Sequence, residues 1–290
     1  MTKKVSTFST KKVWDKNHKT KDKNINLNKN RANNLFDNQE IKQDLQFFYN
    51  KEAKKYAETR KKFWNEEKAI LNEITPLFNQ DKKVRILEFG CGSWRFATLL
   101  NNNFNWKFEY IWIDLSSELL NFASNENPNL TFFQWDITKM VKRFEQESFD
   151  LIVWTSSFQH IPTMKERSYL MKNFYRLLDY DGMLLMTNWS LSNRFIKKNW
   201  KSVMKSRILW WIIFNKSRTR DIIVPRTDNK WVVYNRYYHF FSHKELENLS
   251  IFSGLNVKVN KWINQEWELI GNEKESRSSI LVATKNPIIN

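Results

Sequence analysis

The sequence predicts an α/β fold in which short buried strands alternate with helices. Apolar runs of strand length recur along the chain, separated by stretches whose apolar residues repeat at helical spacing. One strand ends in two closely spaced glycines, Gly90 and Gly92, and a helical pattern follows them. Acidic residues accompany three successive strands, at Glu88, Asp114 and Asp136. Together these observations predict a ligand site at the ends of neighbouring strands.

The segment around the two glycines has the order strand, tight turn, helix. An aliphatic strand at 84–89 leads into Gly90 and Gly92, and the helical pattern begins near Phe96. Glycine suits such a turn because it tolerates positive φ and lets a ligand approach bare backbone. Asp114 ends the second strand, 22 residues beyond Gly92. In nucleotide-binding folds of this type, an acid at that position accepts hydrogen bonds from the two ribose hydroxyls.

The other elements follow from the same patterns. Apolar residues at helical spacing, among them Leu45, Phe48 and Tyr56, predict cap helices within 39–80. The later elements are predicted, in order, as helix 94–101, strand 108–114, helix 117–124, strand 130–137, strand 149–154, helix 164–178, strand 183–189, helix 243–253, and an antiparallel pair at 255–270 and 279–284.

The net charge of +17 is concentrated in two segments. Residues 1–38 hold ten Lys and Arg against three Asp and have almost no apolar periodicity, which predicts a disordered basic arm. Residues 191–236 hold twelve against two, and 190–235 form a basic insertion, or lid, in the domain at 39–290. A basic arm and a basic, aromatic-rich lid are typical of a protein that binds a polyanion. An A/T-rich gene would also raise the lysine content, and for the arm this explanation is equally simple.

The remaining composition limits the class of protein. A single cysteine, Cys91, excludes a disulfide framework and a cysteine-based zinc site, and predicts a reducing, cytoplasmic location. The four histidines lack a cluster of further ligands at suitable spacing, so no metal site is expected. The longest apolar run, 208–214, is too short to span a bilayer, and the N-terminus lacks the apolar core of a signal peptide. No membrane partner is therefore expected.

The run Glu88-Phe-Gly90-Cys-Gly92 resembles motif I of the class I S-adenosylmethionine (SAM) methyltransferases. The resemblance implies a Rossmann-like, seven-stranded, mostly parallel sheet with flanking helices. It also implies that Glu88 lies near the methionine end of SAM and that Asp136 accepts from the adenine amine. The cofactor-binding residues implied in this way are Glu88, Gly90, Cys91, Gly92, Asp114, Leu115, Asp136, Ile137 and Thr155.

Two further stretches resemble the tRNA wobble-uridine (carboxymethyluridine) methyltransferases. They are Tyr49-x3-Ala53-x2-Tyr56-x2-Thr59-Arg60-x3-Trp64 and Arg236-Tyr-Tyr-His239-x-Phe241. The resemblance implies methylation of a carboxylate on a modified uridine of tRNA, with Arg60, Arg236 and His239 orienting the acceptor and His160 contacting the nucleotide. Eukaryotic relatives work with a small activator subunit, which would be a second partner.

Two other functions fit the same patterns. The enzyme could methylate a small molecule, such as a quinone precursor or another metabolite. The chain could instead be a non-catalytic RNA-binding or partner-activating protein with a degenerate SAM fold. Salt-dependent affinity for tRNA separates an RNA enzyme from the first alternative, and binding of SAM argues against the second.

Glycine is scarce and tryptophan abundant, with 5 and 14 residues respectively. Average usage of about 7% would give roughly 20 glycines in a chain of this length. The four residues Trp94, Trp112, Trp135 and Trp154 stand where the family usually has glycine or another small residue. We interpret them as glycines of the native protein, encoded by UGA codons that some bacterial lineages read as glycine. Trp231, in a predicted turn, fits the same interpretation.

Overall fold

A mixed eight-stranded sheet forms the centre of the computed structural model, which describes residues 38–59, 67–79, 82–90, 92, 95–105, 107–127, 130–214, 219–227, 231–266 and 268–286. The strands are β1 Val84–Phe89, β2 Phe108–Asp114, β3 Thr131–Gln134, β4 Phe149–Thr155, β5 Leu178–Trp189, β6 Asp221–Thr227, β7 Val233–His239, β8 Asn256–Ile263, β9 Leu269–Ile270 and β10 Ser278–Thr284. The helices are α1 Asn38–Thr59, α2 Glu67–Phe78, α3 Arg95–Phe104, α4 Ser117–Glu126, α5 Ile137–Met140, α6 Met164–Leu177, α7 Asn193–Lys198, α8 Trp200–Phe214 and α9 His243–Ser253.

The strand order of the main sheet is β3-β2-β1-β4-β5-β10-β8-β9. Strands β1 to β5 pair in parallel, whereas β10, β8 and β9 continue the sheet with antiparallel pairs. The predicted fold class, α/β with a mostly parallel sheet and flanking helices, is confirmed. The sheet has eight strands rather than seven because the two-residue strand β9 pairs with the end of β8 and adds an edge.

Both faces of the central strands β1 and β4 are largely buried, which explains why their sequences are mostly apolar. In β1, Val84 and Ile86 pack on one side of the sheet with apolar residues of α2 and α3. Leu87 and Phe89 pack on the other side with residues of α6 and α9. Since successive side chains of a strand point to opposite faces, Glu88 shares its face with Val84 and Ile86.

The predicted insertion at 190–235 contains helices α7 and α8 and most of a β-hairpin. Strands β6 and β7 pair with each other, separately from the main sheet. The hairpin packs on a small apolar cluster that includes Leu191, Val203, Ile222 and Tyr238. Its second strand continues to His239, beyond the predicted boundary at residue 235. The motif that begins at Arg236 therefore belongs to the insertion.

The described residues of the predicted cap region at 39–80 form two helices, α1 and α2. The predicted arm at 1–38 lies outside the described residues, apart from Asn38, where α1 begins. Within the described part of the chain, no helix combines the length and the apolar character that crossing a membrane requires.

Candidate active site

A cavity lies at the carboxyl ends of β1, β2 and β4, where open α/β sheets usually bind ligands. Helix α1 and the loop after β4 complete its wall. The predicted cofactor residues in its lining are Gly90, Gly92, Asp114, Leu115, Asp136, Ile137 and Thr155. The structure thus brings together residues that lie up to 65 positions apart in the sequence, as the parallel strand order requires.

The glycine turn needs its glycines. Gly90 and Gly92 have φ angles of +62° and +54°, a region that side chains other than glycine rarely adopt. A Cβ added to Gly90 would lie 2.1 Å from the hydroxyl oxygen of Ser157, so there is no room for one. The backbone at this turn is therefore open to a ligand on the cavity side only because both residues are glycine.

Asp114 holds the glycine turn against the second strand. Its Oδ2 accepts a hydrogen bond from the backbone N–H of Gly92 at 3.1 Å, and its Oδ1 accepts from the N–H of Ser116 at 2.8 Å. Burial raises the pKa of Asp114, and these two amide hydrogen bonds oppose the rise. Each carboxylate oxygen has two lone pairs, so Asp114 can also accept from the hydroxyls of a ribose.

Asp136 caps helix α5 and is paired with a lysine of helix α1. Its Oδ1 accepts from the N–H and the hydroxyl of Thr138 at 2.9 and 2.7 Å, and its Oδ2 accepts from Lys42 Nζ at 3.3 Å. Burial alone would raise its pKa, but the hydrogen bonds from Thr138 and the charge of Lys42 hold the pKa below its ordinary value. Asp136 is therefore an ionised acceptor at neutral pH, and Lys42 already occupies part of its accepting capacity.

Glu88 lies behind the cavity wall and is almost completely buried. Its Oε2 accepts from the hydroxyl of Tyr110 at 2.9 Å, and its Oε1 lies 3.5 Å from the hydroxyl of Thr155. Burial raises the pKa of Glu88 to about 8, and the Tyr110 hydrogen bond and the charge of Arg95 limit the rise. Glu88 does not itself line the cavity, although Thr155 does. A cation in the cavity would favour its ionised form.

Polar residues of helix α1 line the cavity, and two of them, Lys42 and Gln46, were not predicted as site residues. Lys42, Gln46 and Tyr49 follow one another at helical spacing and face the cavity. Gln46 Nε2 donates to the backbone carbonyl of Leu115 at 3.0 Å, and Lys42 Nζ also donates to Glu166 at 2.7 Å. The spacing of these polar residues along the helix was the available signal for a polar face.

His160 and Tyr49 form a hydrogen-bonded pair in the cavity wall. His160 Nδ1 lies 2.7 Å from the backbone carbonyl oxygen of Tyr237. A carbonyl only accepts, so Nδ1 carries the proton, and burial lowers the pKa of His160 to about 4, which keeps the ring neutral at pH 7. Nε2 must then accept, so the Tyr49 hydroxyl donates to it across 3.0 Å. The structure thus places His160 at the predicted end of the sheet.

A second cavity adjoins the first and shares Tyr49, Tyr56 and Ser156 with it. We call it the acceptor cavity. Its cationic lining residues are Lys55, Arg95, Arg226 and Arg236, and its only carboxylate among the described residues is that of Glu52. Its aromatic lining residues are Phe48, Tyr49, Tyr56, Trp189 and Tyr238. A cavity with this excess of cations over carboxylates is suited to an anion with an apolar or planar body.

Arg236 is a predicted site residue that lines the acceptor cavity. Its guanidinium carbon is 4.7 Å from the ring centre of Phe48 and 5.6 Å from that of Tyr238. Its Nε is buried without a hydrogen-bond partner. Its charge contributes to the low pKa of His160, after the larger effect of burial, so the two side chains are close. Arg236 can therefore donate to an anion while two rings fix its plane.

His239 lies away from both cavities. Side chains alternate along a strand, so Arg236 and Tyr238 face the acceptor cavity while Tyr237 and His239 face the opposite side. There His239 Nδ1 contacts Asp221 Oδ1 at 2.5 Å, and its Nε2 contacts the carboxylate of Glu245 at 2.8 Å. The structure does not bring His239 to the site with Arg236, because the two residues are three positions apart on an extended strand and an odd separation places side chains on opposite faces.

Two predicted residues, Arg60 and Cys91, lie outside the described residues, as does Trp94. Among the residues that the structure does describe, no group of histidine, cysteine and carboxylate side chains could hold a metal ion. The structure therefore tests neither Arg60 as an orienting cation nor Cys91 as part of the glycine turn.

Two tryptophans narrow the first cavity. Trp135 and Trp154 line it, and its volume is about 130 Å³, whereas small-molecule sites usually have roughly 300–1,000 Å³. The Nε1 atom of Trp154 would lie 3.6 Å from a Cβ on Gly90. Nε1 of Trp154 and of Trp112 is buried without a hydrogen-bond partner, although buried indole N–H groups usually have one. The polar groups that line the cavity fit a nucleoside with a cationic tail. The indoles of Trp135 and Trp154 take up part of the space that such a ligand would fill.

Trp231 has the backbone conformation of a glycine. Its φ angle is +61°, and its side chain is 88% exposed. A bulky residue with positive φ is uncommon, and here no buried contact of the side chain compensates for the strain. This observation is independent of the cavity and supports the same interpretation of the tryptophans.

Residues 86–182 match a protein family described as "Methyltransferase domain". This stretch includes the glycine turn and both aspartates of the cavity wall. A malonyl-[acyl-carrier protein] O-methyltransferase of Bacillus anthracis is 24% identical over 196 residues, which are 64% of this chain and 69% of that protein. This relative does not show the wobble-uridine resemblance, which remains a prediction.

Solved structures share the fold. A SAM-dependent methyltransferase from Clostridium acetobutylicum matches with a TM-score of 0.55 and 15% identity, covering 83% of this chain and 100% of that one. A Haloferax volcanii methyltransferase solved in complex with the Trm112 methyltransferase activator matches with a TM-score of 0.56 and 13% identity, covering 84% and 99%. The family match, the relative and the shared fold agree with the site at the strand ends. The chain is therefore a SAM-dependent methyltransferase with the class I fold.

Proposed function

We propose that this enzyme transfers the methyl group of SAM to a carboxylate oxygen of its acceptor. The observation that carries the proposal is the cationic acceptor cavity beside the cavity that holds the predicted SAM-binding residues. SAM supplies an electrophilic methyl group: the C–O bond forms as the C–S bond breaks, and the products are a methyl ester and a neutral thioether. The shared residues Tyr49, Tyr56 and Ser156 mark the boundary that the methyl group crosses.

For the cofactor, we propose the roles that the predicted residues suggest. Asp114 would hold the ribose hydroxyls, Asp136 the adenine amine and Glu88 the charged methionine end. Gly90 and Gly92 leave room for the cofactor at the turn. The support for these roles is that the turn and both aspartates line one cavity, and that Glu88 is linked to it through Thr155.

Arg236 would bind the acceptor carboxylate. Its Nε lacks a partner in a buried position, and the flanking rings of Phe48 and Tyr238 keep the guanidinium plane fixed. A fixed guanidinium can bind a carboxylate through two parallel hydrogen bonds, which orients one carboxylate oxygen. Arg95 and Arg226 add positive charge to the same cavity. Orientation of this kind supplies much of the rate of a bimolecular displacement.

A carboxylate acceptor agrees with the neutral Tyr49–His160 pair. A carboxyl group with a pKa of about 4 is already ionised at pH 7, so its oxygen attacks without a general base. His160 has a pKa of about 4 and holds its proton on Nδ1 against a backbone carbonyl, so its part is to position Tyr49. An alcohol or amine acceptor would require a group that accepts a proton at the boundary.

Two acceptors present such a carboxylate. A malonyl group joined to a carrier protein has one free carboxylate, and the Bacillus anthracis relative is named for O-methylation of that acceptor. A carboxymethylated wobble uridine of tRNA has another, and the basic segment 191–236, with twelve cations against two acids, favours a polyanionic partner. An activator subunit such as Trm112 would be a partner in the second case.

Methyl transfer from labelled SAM to each acceptor tests the proposal. The product should release its label as methanol in mild base, because methyl esters hydrolyse where N-methyl and C-methyl groups persist. Arg236→Gln should lower kcat/KM for the acceptor by on the order of a hundredfold, with SAM affinity unchanged. Arg143→Gln, at an exposed arginine outside both cavities, is the matched control. A base-stable product, or full activity of Arg236→Gln, would remove the proposal.

A further inference from the structure

The basic insertion presents an apolar stripe to solvent that neither cavity uses. Along helix α8, Trp200, Met204, Ile208 and Trp211 are exposed by 57%, 49%, 54% and 66%. Steps of four, four and three residues place them on one side of the helix. Single exposed apolar residues are ordinary, but a contiguous exposed stripe indicates an interaction surface.

The stripe is distinct from the side of α8 that packs on the protein. Val203 and Ser206 are buried, and the Ser206 hydroxyl accepts from the backbone N–H of Ile223 in strand β6 at 3.0 Å. This contact fixes the rotation of the helix about its axis. Because another side of the same helix is buried, the stripe faces solvent in the folded protein. Its exposure does not depend on fraying of the helix.

The segment that carries the stripe is strongly basic. Residues 193–214 contain six Lys and Arg and no Asp or Glu. Lys201 and Lys205 are exposed, and at helical spacing they border the stripe on one side. Lys197 and Lys198, at the end of α7, are exposed as well. The surface therefore combines apolar side chains with an unbalanced row of cations.

We propose that this face of α7 and α8 binds the surface of an anionic lipid bilayer, with α8 lying in the interface. Aromatic and aliphatic side chains on one side and lysines along the border are the composition of interfacial helices. The tryptophans at both ends of the stripe are the residue type that favours the headgroup level. Surface binding of this kind needs no membrane-spanning helix. It adds a membrane partner, which was not expected from the sequence.

Other occupants fit the face less well. Met204 and Ile208, at the middle of the stripe, have no ring that could stack on bases and no group that could donate a hydrogen bond to a phosphate, so RNA would leave them exposed or desolvated without gain. A second copy of the chain would bring the same six uncompensated cations together across a two-fold axis. A lipid surface satisfies both the aliphatic side chains and the charge.

The surface lies on the insertion that also contributes part of the lining of the acceptor cavity. Helix α8 packs on the hairpin that contributes Arg226 and Arg236 to that cavity. Membrane attachment would therefore act on the element that positions the acceptor. The proposal does not depend on the identity of the methyl acceptor, so its test measures binding and not turnover.

Co-sedimentation of the full chain with vesicles tests the proposal. Vesicles containing a third of phosphatidylglycerol should bind the protein, and vesicles of phosphatidylcholine alone should bind it at least tenfold less. Met204→Ser/Ile208→Ser should lower the partition coefficient by about tenfold or more, because two half-exposed side chains lose their transfer into the interface. Ile251→Ser/Phe252→Ser, at exposed positions of α9, is the matched control and should bind as the parent chain does.

Three outcomes would overturn the proposal. One is the absence of binding to phosphatidylglycerol vesicles at low salt. Another is an equal loss of binding in both double variants, since the effect would then not come from the stripe. The third is binding of tRNA by the chain without binding of phosphatidylglycerol vesicles, which would assign the basic face to nucleic acid. Circular dichroism on both double variants verifies that each is folded.

Discussion

Replacing Trp154 by glycine tests whether its indole occupies space that SAM needs. Trp154 is 3% exposed, and its ring centre lies 5.2, 5.0 and 5.6 Å from those of Phe89, Phe158 and Phe174. Removing a buried aromatic side chain costs about 3–5 kcal/mol, and glycine inside a strand costs roughly 0.5–1 kcal/mol more. Without ligand, Trp154→Gly should therefore lower the free energy of unfolding by about 4–6 kcal/mol.

The presence of SAM should reverse part of this loss. A ligand at a hundred times its Kd stabilises the folded state by about 2.7 kcal/mol. We expect this gain for Trp154→Gly because the indole lies against Gly90 and narrows the cavity. Urea unfolding with and without millimolar SAM, supported by equilibrium dialysis, measures both effects.

The matched control for this experiment is Trp262→Gly. Trp262 is 5% exposed and stacks on His243 at 4.0 Å, outside the cavity, so its removal should cost stability without improving SAM binding. If Trp154→Gly binds SAM no more tightly than the parent chain, the indole is not an obstacle and the glycine interpretation fails. UGG codons at the four positions would contradict the interpretation independently.

Three further predictions concern the site. Gly90→Ala should abolish SAM binding because the added Cβ has no room, whereas Gly271→Ala, with nothing within 4 Å, should bind normally in the same dialysis assay. SAM affinity should rise with pH up to about 8, where the pKa of Glu88 lies, because below it a cationic ligand must displace a proton. Glu88→Gln should remove this dependence in titration calorimetry, and a dependence that survives would exclude Glu88 as its source. Tyr49→Phe, which takes away the donor to His160, should lower kcat by on the order of tenfold or more at constant SAM affinity; unchanged single-turnover rates would exclude the pair from positioning.

The central strands of the sheet were predictable from the sequence for a physical reason. Strands whose two faces are largely buried are dominated by apolar residues, so β1, β2 and β4 are recognisable without any tertiary information. The carboxyl ends of parallel strands meet at one edge, which places Gly90, Asp114 and the loop after β4 together. Strand β9 lies inside the predicted stretch 255–270 and was not separated from β8, because two residues carry no periodicity of their own.

The contribution of helix α1 was not predictable in the same way. Its apolar spacing indicates a helix, but the partners of its polar residues are far away in sequence. Lys42 reaches Asp136 and Glu166, which are 94 and 124 positions distant. Such contacts depend on how the helix docks over the strand ends, and a polar stripe on a helix is usually solvent-exposed. Only the docked structure distinguishes a cavity wall from a solvated face.

The motif at Arg236 shows how strand geometry divides one run of residues between two roles. As a sequence it reads as one cluster of arginine, tyrosines and histidine, and both Arg236 and His239 were predicted to orient the acceptor. In the strand, Arg236 faces the acceptor cavity, whereas Tyr237 and His239 face the opposite side and contact Asp221.

The buried side of the motif anchors the hairpin that presents Arg236. Arg167 donates to the Tyr237 hydroxyl at 2.9 Å, and Asp221 accepts from the same hydroxyl at 2.7 Å. Burial alone would raise the pKa of Asp221, but His239, Tyr237 and Arg167 hold it below its ordinary value, so the carboxylate is ionised in the folded protein. Removing one member of a buried ionic network leaves its partners uncompensated, at a cost of about 3–5 kcal/mol. A loss of activity after substitution of His239 would therefore report a displaced hairpin, whereas the same loss at Arg236 reports the acceptor, and only measurements of stability made alongside turnover separate the two.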